Sequence, residues 1–262
     1  MSTIEWNKVT WYSKFLAVVL FVLTFYVGFV LGEKKEHTDT DLPASGVPTA
    51  LSHTDTTPVI GSRKIKEANF TGTVATVSGS STLARTAQSK IDSIVADFKI
   101  FADKDVPDMR SQFGADSPTA QYELDIDATD VRGDTTESII LEVYTYTGGA
   151  HGNSHYEVFT VSRSSEKMLV LSDIIAPGKQ ALFTQSVQKA LTDWRSDPGD
   201  TTSPTFPDDV AALKFTDFKN WSLDSKNLTL YFDQYAIGPG ALGAVAFPLP
   251  VSRIKGFLTT EN

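Results

Sequence analysis

Cysteine is absent from the 262 residues. That excludes disulfides, a lipidated cysteine and any thiolate metal site. For an exported chain it favours a prokaryotic origin over a eukaryotic one. Basic charge is scarce as well: 23 Lys and Arg face 32 Asp and Glu, for a net charge of −9. This argues against nucleic acid as a partner, because phosphates need Lys and Arg to displace their counterions. There are only four histidines. No His-Glu-x-x-His helix, Gly-x-Ser-x-Gly elbow or P-loop occurs. No catalytic residue, metal ligand or cofactor site is therefore assigned from sequence. Apolar residues are plentiful, at 41% with 16 Phe, enough for a real core.

One long apolar run stands out. Phe15 to Leu31 contains no charged residue. With its neighbours it reaches about 20 residues, the length that crosses about 30 Å of hydrocarbon. Trp6, Trp11 and Tyr12 suit an interfacial belt. A signal peptide is the competing reading, but no Ala-x-Ala-like site follows the run. Residues 1–32 are expected to be a short cytoplasmic tail and a single transmembrane anchor. Lys8 and Lys14 before the run nearly balance Lys34 and Lys35 after it, so charge alone leaves its orientation open. Leaving out Glu5, Lys8 and Lys14, the part beyond the run holds 21 basic and 31 acidic residues and is strongly acidic. Residues 33–62 are rich in Thr, Asp, Ser and Pro and read as a disordered linker, with His37 and His53 as solvated linker residues.

The folded part is expected from about Arg63. Lys64 to Val77 suggests a first strand or two. Ser80 or Ser81 can cap a helix, whose stripe runs Leu83, Ala87, Ile91, Ile94, Val95, Phe98, Phe101. Gln121 to Asp127 alternates, with Tyr122, Leu124 and Ile126 inward and Glu123, Asp125 and Asp127 on the other face. A calcium site from Asp125, Asp127 and Asp130 lacks the spacing and bidentate Glu of an EF-hand, so a solvated strand face is the preferred reading. Ser138 to Tyr146 and His155 to Val161 are strands. Met168 to Leu171 is expected to continue the sheet. Pro177 can start a second helix with an apolar stripe from Leu182 to Trp194. Trp221–Leu223 and Leu228–Phe232 read as a hairpin, and Ala244–Leu249 closes the sheet. The pattern predicts an α+β fold: an antiparallel sheet with two long helices packed on it, preceded by the transmembrane helix. Residues 63–150 and 151–262 are the expected subdomains, together one unit.

Between the two central strands lies Thr145-Tyr-Thr-Gly-Gly-Ala-His-Gly-Asn-Ser-His155. Gly148, Gly149 and Gly152 suit positive φ or close backbone approach. Two readings compete: a bent hairpin connection, and a ligand-contacting loop with His151 at its tip. A zinc site through His151 and His155 would need a third ligand such as Glu157 or Asp173, and nothing in the sequence brings one near.

The same stretch resembles the signature of the extracytoplasmic domain pair of RsiV-type anti-sigma factors and PdaC-type peptidoglycan deacetylases. Leu228-Thr-Leu-Tyr-Phe-Asp-Gln-Tyr-Ala-Ile-Gly-Pro and Ala244-Val-Ala-Phe-Pro-Leu-Pro250 resemble that pair's closing strand, tyrosine loop and final strand. Gly238-Pro-Gly-Ala-Leu-Gly243 departs from its usual alanine- and tyrosine-bearing loop. Neither an anti-sigma nor a deacetylase domain has a counterpart in these residues. The resemblance places the N-terminus in the cytoplasm and the long C-terminal part outside the cell membrane. It implies a cell-envelope binding or sensor module whose ligand is a cell-wall glycan, such as peptidoglycan, or a cationic lysozyme-like protein. Tyr146, Gly148, Gly149, His151, Asn153, His155 and Tyr235 are its ligand-binding residues by this reading. The alternatives are an envelope-polymer hydrolase with His151 as general base, and structural tethering. Oligomeric state is not legible.

Overall fold

The computed structural model describes residues 57–195, 200 and 202–259. The expected anchor and most of the expected linker lie outside them. Among the described residues no helix is long and apolar enough to cross a membrane.

The fold begins with a hairpin, β1 (Val59–Lys66) and β2 (Phe70–Ser78), in continuous antiparallel register. β1 starts inside the segment assigned to the linker. The alternating Val59-Ile-Gly-Ser run is short and polar in part, and only its pairing to Ala75–Ser78 reveals it as strand. Helix α1 (Thr82–Phe113) follows, capped where Ser81 Oγ accepts the Ala84 N–H at 3.1 Å. Leu83, Ala87, Ile91, Phe98, Ala102 and Val106 form its buried stripe. Each large member removed from water is worth about 1.5–3 kcal/mol. The helix runs through Pro107, which removes one backbone bond and costs about 3 kcal/mol in a helix interior. Burial of Val106 and two Arg110 bonds, to Asn69 Oδ1 (2.9 Å) and the Ala68 carbonyl (3.0 Å), hold the far turn down.

After a 3-10 turn (Pro118–Ala120) come β3 (Tyr122–Arg132), β4 (Thr136–Tyr146) and β5 (Asn153–Ser162). The five strands form one sheet in the order β1-β2-β3-β4-β5. The expected purely antiparallel sheet is corrected at one place: β2 and β3 are parallel. The reason is the long helix between them, which carries the chain back to the starting end of the sheet. Gly72 permits the close approach, since a Cβ there would collide with the Leu124 carbonyl. One face of the sheet packs on α1 through Leu124, Ile126, Ile139, Leu141, Val143 and Val161.

The rest is built of short pieces: α2 (Leu171–Ile174), α3 (Gln180–Thr192), α4 (Pro207–Ala212) and the three-stranded antiparallel sheet β6 (Trp221–Leu223), β7 (Asn227–Phe232), β8 (Val245–Pro250), ended by α5 (Val251–Ile254). Met168 makes only an isolated bridge to Val161, and Leu171 opens a helix instead of continuing the strand. α3 starts at Gln180, not at Pro177, because Gly178 at φ 77 holds a turn first. These elements enclose a separate core running from Leu171 to Ile254. The division between the cores thus falls after Ser162, not at residue 150: β5 is paired along its length with β4.

Candidate functional site

The β4–β5 connection is held from both sides. Gly148 sits at φ 83, and a Cβ there would collide with the Thr119 backbone. Gly152 lies under the Tyr144 ring, which a Cβ would also strike. Gly149 has ordinary space around it. Two of the three glycines are thus required by packing within the chain.

His151 is exposed, and both its ring nitrogens are engaged. Nδ1 lies 2.9 Å from the Gly152 carbonyl, an acceptor, so Nδ1 carries the hydrogen. With the hydrogen on Nδ1, Nε2 is the ring atom that meets the Tyr235 hydroxyl, at 2.9 Å. A general base needs a nitrogen free to take the proton, and here one nitrogen is held by a backbone carbonyl of its own turn and the other by Tyr235. The hydrolase reading therefore has no support at His151.

The other expected site residues do not converge. Asn153 is exposed at the start of β5, paired with Thr145. His155 stands opposite Val143, on the α1 side of the sheet, the side on which Glu157 pairs with Lys90 at 2.7 Å. Asp173 accepts the Val170 N–H at 2.9 Å. Among the described residues no group of three or more His, Cys, Asp and Glu is placed to hold a metal ion. Alternation on β3 puts Asp130 on the face opposite Asp125 and Asp127, so that trio is dispersed too. Tyr146 lies on the face away from α1, opposite Glu123. Only His151 and Tyr235 meet.

Their meeting belongs to a larger seam along the outer edge of β5. Gln234 accepts the Ser154 N–H through Oε1 (2.9 Å) and donates its own N–H to the Ser154 carbonyl (3.0 Å). Asp233 Oδ1 accepts the Tyr156 N–H at 2.9 Å, and Asn220 Nδ2 donates to the Tyr156 carbonyl at 2.7 Å. Leu169 N–H reaches the Thr160 carbonyl at 2.8 Å. The Thr136 and Thr160 hydroxyls donate to the Leu223 and Trp221 carbonyls at 2.6 and 2.8 Å. An edge strand presents a row of unpaired backbone groups, and here side-chain and backbone groups from residues after β5 take the place of a sixth strand.

Away from the seam, the face turned from α1 carries a ladder of acids beside tyrosines. Glu123 stands opposite Tyr146, Asp125 opposite Tyr144, and Asp127 opposite Glu142. Burial, then the neighbouring Asp125 carboxylate, pushes the Glu123 carboxyl above its ordinary range. Asp125 also accepts the Thr73 N–H at 2.7 Å. Where the ladder passes under β7 and β8 it ends in a cavity of about 210 Å³ lined by Asp127, Glu142, Tyr156 and Tyr231. Burial there, then the Glu142 carboxylate, pushes the Tyr156 phenol up to about 12. Alternation along β3 already places three of these carboxylates on one face. The tyrosines and Glu142 join them only through the β3–β4 register, which the sequence pattern does not specify.

Residues 172–252 match the family described as protein of unknown function, DUF3298. The match spans one stretch of the chain. It coincides with the second core, from α2 to α5. The peptidoglycan-N-acetylmuramic acid deacetylase PdaC of Bacillus subtilis is 25% identical over 176 residues, 66% of this chain and 37% of that enzyme. The chain thus spans little more than a third of the curated relative it matches. Crystal structures of DUF3298 family members share the fold at 17% identity. For the Bacteroides fragilis protein the TM-score is 0.56, and for the Pseudomonas aeruginosa protein 0.51. Each likeness covers 78% of this chain and 94% of the other, so the shared fold reaches well beyond the matched residues 172–252 into the first sheet.

Proposed function

We propose that the chain is a single-pass, membrane-anchored extracytoplasmic binding module of the cell envelope, and that its acidic sheet face recruits a cationic, lysozyme-like protein. The observation that carries this reading is the ladder of Glu123, Asp125, Asp127 and Glu142 beside Tyr144 and Tyr146 on the face turned from α1. Carboxylates on one face give a directed negative field that speeds encounter with a basic partner. Tyrosines beside them supply large, rigid contact area of the kind that dominates binding energy. The apolar run at Phe15–Leu31 supports the anchor, and the likeness to PdaC supports the envelope.

The test uses the full chain in detergent, titrated with hen lysozyme at low and high salt. Saturable binding that weakens with salt is expected, as is a loss of about tenfold or more when Glu123, Asp127 and Glu142 are all converted to amides. Binding that ignores both salt and these substitutions, or no binding by the folded chain, removes the proposal.

A further inference from the structure

We propose that a second site, built around Tyr235 within the matched residues 172–252, binds a pyranose ring. It goes beyond the cationic-partner reading and shares none of the carboxylates of the acidic face, Tyr231 alone lining both cavities.

A cavity of about 330 Å³ opens at the Tyr235 loop, near the lower end of the roughly 300–1,000 Å³ typical of ligand pockets. Tyr235 lines it, half exposed at 51%. Its backbone is at φ 70, a conformation that side chains other than Asn, Asp and Gly rarely adopt. Such outliers persist where the surroundings hold them, and they cluster at functional positions. The surroundings here are specific. The ring rests against Gly240, where a Cβ would collide with it. Its hydroxyl is fixed by His151 Nε2 at 2.9 Å. Burial does not account for the placement, since half of the residue's surface faces outward. An aromatic ring locked on one side and open on the other, beside a cavity with a few polar groups on an apolar wall, is a platform for the apolar face of a sugar ring.

The polar lining suits sugar hydroxyls. Asp233 Oδ1 and Asp217 Oδ2 accept backbone N–H groups, of Tyr156 and Lys214, which orients both carboxylates. Asp209 and Lys219 also line the cavity. Leu213 and Ala236 supply apolar wall. Convergent acceptors and a donor on an apolar lining beside one fixed ring match a polyhydroxylated ring better than a flat apolar ligand. The sequence marked Tyr235 by its neighbours in the loop, while its strain and its hold by His151 come from the fold.

The experiment titrates the full chain, in a detergent without a sugar headgroup, with chitotetraose, cellotetraose and maltotetraose, read by saturation-transfer NMR and calorimetry. Saturable binding of at least one is expected. Tyr235→Phe keeps the ring and stays within about threefold, whereas Tyr235→Gly, which suits the positive φ, weakens binding by about tenfold or more with the fold intact. No saturable binding by the folded wild-type chain, or unchanged binding by Tyr235→Gly, overturns the proposal. Lysozyme titration of Tyr235→Gly and sugar titration of the acidic-face triple variant separate the two sites, so either proposal can fail without the other.

Discussion

The two cores of this molecule are made in opposite ways. The first is mostly aliphatic and regular: one 32-residue helix lies on a five-stranded sheet, and its buried stripe recurs at spacings of four or seven residues. The second is aromatic and irregular. Phe183 meets Phe215, Phe218 and Phe257 edge to face at 5.9–6.1 Å, and Trp194 meets Phe247 at 5.5 Å, among helices of four to thirteen residues. A long element spreads burial over many turns. Short elements bury little each, and large rings fill the gaps between them. The first core is therefore legible as periodicity, and the second only as composition.

Breaking the comparison starts with its centres. Phe183→Ala is expected to cost about 4 kcal/mol and Ile91→Ala about 3 kcal/mol, read from denaturant midpoints. Both should shift one common transition, because Thr136 and Thr160 tie the first sheet to β6 by buried hydrogen bonds. Two separate transitions would mean that the cores fold independently. Gly148→Ala should cost about 3 kcal/mol, from positive φ and the clash with Thr119. Asn220→Ala strips the buried Tyr156 carbonyl of a side-chain donor and should cost about 2 kcal/mol, a measure of how much the seam contributes.

Alkaline titration sharpens the contrast further. Tyr122 of the first core and Tyr156 beside the seam both ionise at about 12, against an ordinary 10.0, burial being the main cause in each. A folded pKa above the unfolded value means stability fully present below pH 10 and lost as pH rises from 10 toward 12. Tyrosinate absorbance should show these two phenols, and Tyr231, which burial also pushes up, titrating late in the folded chain and joining the others once it unfolds. The smallest effect belongs to Gly149→Ala, expected within about 0.5 kcal/mol of wild type, since the nearest atom lies at 3.7 Å. A large loss there would show that this glycine serves something other than packing.

Legibility follows range. The stripe on α1, the alternation of β3 and the hairpin before β8 are local patterns, and each was readable in place. The parallel β2–β3 pair was not, because strand direction depends on where a helix delivers the chain. The β5 seam was equally hidden: Asn220, Asp233 and Gln234 look like ordinary loop and strand-end polar residues until the edge they cap is known. At the candidate sites, His151 and Tyr235 were legible as motif residues, but not as each other's hydrogen-bond partners.

The sequence by itself determined the acidic charge, the absence of disulfides, the α+β class and the membership of Glu123, Asp125 and Asp127 on one strand face, because composition and period-two alternation need no distant partner. Only the tertiary structure decided which tyrosines stand beside those carboxylates, which nitrogen of His151 holds the hydrogen, and why Tyr235 stays strained. Those properties arise where segments distant in sequence meet, and register and contact across such distances are set by packing as a whole.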